Sequence, residues 1–180
     1  MAKLIQPASC HLILGGARSG KSGYAEAQAK QTQLAVVYLA TAQALDGEMD
    51  DRIAQHQQDR PDHWLTIEEP LNIAKCIRQH STQESVVLVD CLTLWLMNVM
   101  HHELDLTETV NELLDALRQA KGQVILVSNE ISMGVVPMGE LSRQYVDNLG
   151  RLHQQVAKHA EQVTLVVAGI PMSVKPQVSY

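Results

Sequence analysis

Near-continuous apolar runs of strand length recur along the chain, each followed by a polar or amphipathic stretch. They are His11–Leu14, Ala35–Thr41, Ser85–Asp90, Gln123–Ser128 and Val163–Ala168, with Trp64–Glu68 as a shorter candidate. Runs that do not alternate with polar residues suit parallel strands covered on both faces. Between them lie helical stretches: Ser22–Lys30, rich in Ala, Glu and Gln; Leu71–Gln79; Leu92–Met100; Asp105–Ala120, with Leu113, Leu114 and Leu117 on one side; and Leu141–Ala160. Asp46–Gln58 is polar enough to form an exposed helix, which Arg60-Pro61 would end. The alternation predicts an α/β fold, a mainly parallel sheet with helices on both faces, in one domain over residues 1–180. Residues 1–9 read as a loose N-terminal extension, and the last strand as stopping at Gly169-Ile170-Pro171. In such sheets the ligand lies beyond the carboxyl ends of the strands. Thr41, Glu68, Asp90 and Asn129 fall there, with the glycine-rich stretch that follows the first run.

Composition narrows the class. The chain has 180 residues and 46% hydrophobic content, enough for one compact domain with a buried sheet. A net charge of −6 and a pI near 5.7 argue against a general nucleic-acid or acidic-membrane surface, so any polyanion is bound locally. Cys10, Cys76 and Cys91 show neither disulfide-framework nor zinc-ligand spacing, which fits a reducing compartment. The N-terminal residues carry no long apolar segment, so neither a secretory signal nor a membrane span is expected and the protein should be cytoplasmic.

Gly15-Gly16-Ala17-Arg18-Ser19-Gly20-Lys21-Ser22 joins the first apolar run to the first helix. This is the pattern of a phosphate-binding loop, in which glycines let backbone N–H groups wrap the phosphates of a nucleotide. Lys21 would reach the β- and γ-phosphates, and the Ser22 hydroxyl would sit on Mg²⁺ at a helix N-terminus whose dipole favours an anion. An ordinary glycine turn would explain the glycines but not Lys21 followed by Ser22. Asp90, closing an apolar strand, can hold Mg²⁺ opposite Ser22 or can cap the helix that follows; both uses are open.

A phosphate loop does not reveal the fate of the triphosphate. A guanine-specific switch would carry Asn-Lys-x-Asp after a late strand, where this chain has Ser128-Asn129-Glu130-Ile131, and no arginine-rich kinase lid stands out. His56 sits between Arg52 and Arg60 on the polar helix. A neutral imidazole can attack an α-phosphorus and carry a nucleotidyl group, with arginines stabilising the phosphoryl charge. On spacing alone, a solvated surface histidine is the commoner case. His101, His102 and His153 read as surface or core residues.

Several segments together resemble the bifunctional adenosylcobinamide kinase and adenosylcobinamide-phosphate guanylyltransferase family of cobalamin biosynthesis. They are Gly15–Ser22, Tyr38–Gln43, Asp46–Pro61 with Trp64, Glu68-Glu69-Pro70, Val89–Leu96, Val127–Glu130 with Gly134–Pro137, and Val166–Pro171. The resemblance implies a RecA-like P-loop NTPase fold and a homo-oligomer, a trimer in relatives. It implies phosphorylation of adenosylcobinamide by ATP or GTP, then transfer of GMP from GTP, through a guanylyl-histidine, to adenosylcobinamide-phosphate. His56 would be that histidine, and Lys21 the catalytic lysine. Nucleotide contacts would fall to Gly15, Gly16, Ala17, Arg18, Ser19, Gly20, Lys21 and Ser22, to Thr41, Ala42 and Gln43, to Gln57, Gln58, Asp59 and Arg60, and to Glu68 and Asp90. Ser22 and Asp90 would serve Mg²⁺.

The chain departs from relatives in having Gln57 where a basic residue is often found, Asp90 where some have Glu, and Gln55 where some have a second histidine. Two other readings stand beside this one: a small-molecule kinase without guanylyltransferase activity, and a non-catalytic nucleotide-binding subunit.

Overall fold

The computed structural model describes residues 8–43, 61 and 63–176. Strand β1 (Ser9–Gly15) leads into helix α1 (Lys21–Gln31), followed by β2 (Ala35–Ala40), β3 (Leu65–Glu68), α2 (Ile73–His80), β4 (Ser85–Asp90) and α3 (Leu92–His101). Then come α4 (Leu106–Arg118), β5 (Gln123–Asn129), α5 (Glu140–His159), β6 (Gln162–Val167) and β7 (Ile170–Lys175). The helix expected over Asp46–Gln58, and with it His56, Gln57, Gln58, Asp59 and Arg60, lies outside the described residues.

The strands form one sheet in the order β3-β2-β4-β5-β1-β6-β7. Neighbours run parallel except β6 and β7, which are antiparallel. The expected α/β architecture is present, and its two faces follow from strand periodicity. On one face Leu12, Val37, Leu39, Val87, Val89, Val124, Leu126 and Val163 bury against residues of α2 to α5, among them Ile77, Leu96, Leu113 and Leu152. On the other, Ile13, Val36, Tyr38, Val86, Leu88, Ile125, Val127 and Val166 pack with Ala25 and Ala29 of α1 and with Trp64. The two alanines are fully buried and let α1 lie close on the central strands. Trp64 extends this layer, stacking on Tyr38 with ring centroids 6.4 Å apart, and the Lys30 ammonium lies 5.6 Å from its ring centroid.

Asp105 starts α4 as its N-cap, its side chain accepting from the Glu108 N–H at 2.9 Å. Two sequence expectations need correction. Strand β1 begins at Ser9, paired with Gln123, inside the segment read as a loose extension. The chain also does not stop making strand at Pro171: β7 folds back on β6, with Val167 opposite Ile170, through a tight turn of Ala168 (φ 51°) and Gly169 (φ 79°). A short hairpin turn that matches the strand twist needs positive φ at both positions. Pro171 is tolerated because β7 is the edge strand.

Candidate nucleotide site

The carboxyl end of β1 is built around Gly15. A Cβ there would stand 2.4 Å from Ser19 Oγ and 2.7 Å from the Val166 carbonyl oxygen, so only glycine fits where the loop curls over its own strand. The loop turns through a hydrogen bond from the Ser19 N–H to the Gly16 carbonyl at 3.2 Å, with Arg18 and Gly20 in the left-handed region at φ 55° and 89°. The Tyr24 N–H donates to the Gly20 carbonyl at 3.0 Å as α1 begins. Gly20 is the N-cap and offers no side-chain acceptor, and the first turn carries no acidic residue. The leading N–H groups and positive dipole end of α1 are therefore available to an anion. Lys21 folds back over the loop, its Nζ donating to the Gly16 carbonyl at 3.3 Å.

The β6–β7 turn braces this loop from behind. The Gly169 N–H donates to the Ser19 carbonyl at 2.8 Å, and a Cβ on Gly20 would meet Gly169 Cα at 3.2 Å. Ser19 is buried, yet its Oγ has no hydrogen-bond partner. A buried hydroxyl left unpaired is rare, and this one lies in the loop that leads into the α1 N-terminus.

Asp90 closes β4, and Tyr38 Oη donates to its Oδ2 at 3.0 Å. The capping alternative is not taken up: the N-cap of α3 is Cys91, in extended backbone and without a side-chain cap hydrogen bond. Burial, and after it the Asp90 carboxylate, push the Cys91 thiol up to about 11, while Lys21 acts in the opposite sense. Ala40 is the register partner of both Asp90 and Glu68, which puts the two carboxylates on one row and one face of the sheet. Thr41 is fully buried and turned inward: its Oγ1 donates to the Cys91 carbonyl at 2.7 Å and accepts from the Cys91 N–H at 2.8 Å. Ala42 and Gln43 continue from it past the strand ends. Asn98 Nδ2 ties the same corner together, donating to the carbonyls of Thr41 at 2.9 Å and Pro70 at 3.1 Å.

A buried polar chain that sequence reading missed runs beside β5. Tyr145 Oη donates to the Thr93 carbonyl at 2.8 Å, and Thr93 Oγ1 accepts from the Asn129 N–H at 2.7 Å. Thr93 Oγ1 lies 3.2 Å from Ser128 Oγ, Ser128 Oγ lies 2.8 Å from His153 Nε2, and His153 Nδ1 lies 3.7 Å from Glu130 Oε2. Burial lowers the pKa of His153, with Glu130 opposing, so this histidine is a neutral core residue. Its only sequence signal was a polar residue on the inner side of a long amphipathic helix.

The residues suit Mg²⁺ by the chemistry of their donors. Ser22, in the first turn of α1, and Asp90 are hard oxygen donors, and Mg²⁺ takes one or two protein oxygens with phosphates and water. Among the described residues no group of three His, Cys, Asp or Glu side chains could hold a metal ion.

The loop thus combines a free helix N-terminus with a lysine folded over it, and Asp90, held by Tyr38, closes β4 at the same end of the sheet. The family model described as cobinamide kinase / cobinamide phosphate guanyltransferase (CobU) matches residues 11–174. The chain is 54% identical over 166 residues to the bifunctional adenosylcobalamin biosynthesis protein CobP of Pseudomonas aeruginosa, covering 91% of this chain and 96% of that protein. It is 37% identical over 179 residues to the bifunctional adenosylcobalamin biosynthesis protein CobU of Escherichia coli K12, covering 91% and 98% of the two chains. The Salmonella typhimurium protein of the same name is 35% identical over the same shares. With a matched model over nearly its whole length and these relatives, the chain belongs to the cobinamide kinase / cobinamide phosphate guanyltransferase family.

Proposed function

We propose that this protein phosphorylates the aminopropanol hydroxyl of adenosylcobinamide with ATP or GTP and then transfers GMP from GTP to the phosphorylated product. The observation that carries the kinase half is the cradle at Gly15, where backbone, Ser19 and Lys21 converge on the space a terminal phosphate would fill. In this step the substrate hydroxyl attacks the γ-phosphorus, the bond to the β-phosphate oxygen breaks, and the nucleoside diphosphate leaves. Lys21 and the α1 N-terminus stabilise the charge on the phosphoryl oxygens. Ser22 and Asp90 would hold Mg²⁺, which when bound neutralises phosphate charge; Tyr38 keeps Asp90 aimed.

In the second half, the imidazole of His56 attacks the α-phosphorus of GTP and pyrophosphate leaves. A phosphate oxygen of adenosylcobinamide-phosphate then attacks the guanylyl-histidine, giving adenosylcobinamide-GDP and freeing the ring. Arg52 and Arg60 flank His56 in sequence, which supports charge stabilisation there. Thr41 acts through position, fixing the end of β2 so that Ala42 and Gln43 can line the nucleotide.

We also infer a homo-oligomer, a trimer by family resemblance. Met133, Val135, Val136, Met138 and Leu141 are exposed on the segment after β5, and Ile170, Met172 and Val174 on the edge strand β7, an apolar surface suited to a second copy of the chain. No described helix is long and apolar enough to cross a membrane, and we place the protein in the cytoplasm. The test is to supply adenosylcobinamide, Mg²⁺, ATP and GTP and separate the corrinoid products. Appearance of the phosphate and then the GDP derivative is expected; an unchanged corrinoid would contradict the proposal.

A further inference from the structure

Among the described residues, the buried side-chain polar atoms without a hydrogen-bond partner are Ser19 Oγ and Asn129 Oδ1. Both flank Gly15: Ser19 Oγ fills the space a Cβ on Gly15 would need, and Asn129 is the register partner of Gly15. Unpaired buried polar atoms are rare and costly, so each calls for a partner. A phosphate accounts for Ser19. Asn129 is left without an assigned role.

Strand alternation gives the direction of Asn129. Ile125 and Val127 pack on the α1 face, whereas Val124 and Leu126 pack on the other, where Ser128 meets Thr93 and His153. Asn129 therefore belongs to the α1 face, and so does Asp90, since Val86 and Leu88 pack there. Because β5 lies between β4 and β1, Asn129 stands between Asp90 and Gly15 at the carboxyl end of the sheet. Its backbone is held on both sides: its N–H donates to Thr93 Oγ1 at 2.7 Å, and the next N–H, of Glu130, donates to the Gly15 carbonyl at 3.0 Å. The Thr93–Ser128–His153 chain locks the opposite face of the strand and leaves the carboxamide as the group that faces the site.

A carbonyl oxygen pairs with a hydrogen-bond donor or a cation. Ionised phosphate oxygens are acceptors, so the partner is an O–H, an N–H or the metal. At the γ-phosphate, the O–H that the reaction supplies is the hydroxyl of the phosphoryl acceptor. We propose that Asn129 is a catalytic residue of the phosphoryl-transfer step, its Oδ1 accepting a hydrogen bond from the acceptor alcohol and turning an oxygen lone pair toward the γ-phosphorus. This rests on the kinase reading above. Asn129 takes no proton: as the new oxygen–phosphorus bond forms and the bond to the nucleoside diphosphate breaks, the alcohol proton passes to solvent.

The test compares wild type with Asn129→Ala over a Mg²⁺ titration that extends well beyond the concentration that saturates the wild type. It measures phosphorylation of adenosylcobinamide, loss of γ-phosphate to water, and affinity for a fluorescent GTP analogue. Losing an orienting contact should lower kcat for transfer about 10- to 100-fold, raise the share of phosphate lost to water, and leave nucleotide Kd within about twofold. Transfer within about twofold of wild type would overturn the proposal. So would a parallel fall in nucleotide affinity, which would make Asn129 a nucleotide contact. A loss recovered by raising Mg²⁺ would place the carboxamide on the metal or its bound water and also overturn it. If Asn129→Ala fails to fold, Asn129→Ser, too short to reach the alcohol, carries the same expectation. A wild type that binds nucleotide but phosphorylates no cobinamide would instead sink the kinase reading itself.

Discussion

Gly169 and Ser19 lie 150 residues apart in sequence and are joined by a 2.8 Å hydrogen bond from the Gly169 N–H to the Ser19 carbonyl. Through it the β6–β7 hairpin is tied to the loop between β1 and α1. Gly169 sits at φ 79° with open space around a hypothetical Cβ, so substitution there costs backbone strain alone. Gly169→Ala should lose about 1–2 kcal/mol of stability and weaken nucleotide binding by up to about tenfold. A lowered Tm with an unchanged nucleotide Kd would show that the hairpin does not brace the loop.

Gly15→Ala should be far more severe at the site. Its Cβ would fall inside contact distance of Ser19 Oγ and the Val166 carbonyl, the second of which is backbone and cannot swing away. The loop would have to leave β1, and titration with a fluorescent nucleotide should show no saturable binding at concentrations that saturate wild type. Near-normal affinity would mean that the cradle geometry is not what binds phosphate.

Tyr38→Phe isolates the tether on Asp90. Tyr38 is buried, and its hydroxyl donates to the carboxylate at 3.0 Å, so its removal should cost about 1.5–3 kcal/mol. A free-swinging Asp90 should also raise the Mg²⁺ concentration needed for half-maximal phosphoryl transfer. An unchanged Mg²⁺ titration would separate Asp90 from the metal.

The buried His11 shares a 2.8 Å hydrogen bond with Thr164 Oγ1, and burial pushes its pKa from 6.5 down to about 4. The folded ring is neutral, and the unfolded chain takes up its proton first as pH falls. Its contribution is therefore complete above 6.5 and is lost as pH drops from there toward 4, on the order of 2–3 kcal/mol. The neutral, buried His153 acts in the same direction. Urea melts between pH 4 and 7 should show a shallower pH slope for His11→Gln than for wild type; identical slopes would contradict this assignment.

Much of this architecture is legible in the residues because its signals are local. Val86 to Val89 spell a strand buried on both faces, and the spacing from Gly15 to Ser22 spells a phosphate loop. Strand β7 escapes because Pro171 and an Ala-Gly turn argue against a hairpin, and because an edge strand with exposed Ile170, Met172 and Val174 lacks the burial pattern of the others. The tether from Tyr38 to Asp90, 52 residues apart, and the chain from Thr93 through Ser128 to His153 exist only once strands and helices are assembled. Thr41 shows the converse: its position beside the site was readable, but not that its hydroxyl turns inward to Cys91. The stretch carrying His56 lies outside the described residues, so its role rests on resemblance and chemistry.

That histidine is where the reading is most exposed to test. The pure protein should be incubated with Mg²⁺ and GTP labelled at the α-phosphate, denatured, and examined for bound label beside His56→Ala. Acid-labile label on the wild type, absent from a variant that still binds nucleotide, is the expected result. A folded wild type that binds GTP yet takes up no label, with or without cobinamide, would contradict the guanylyl-histidine and leave a kinase alone.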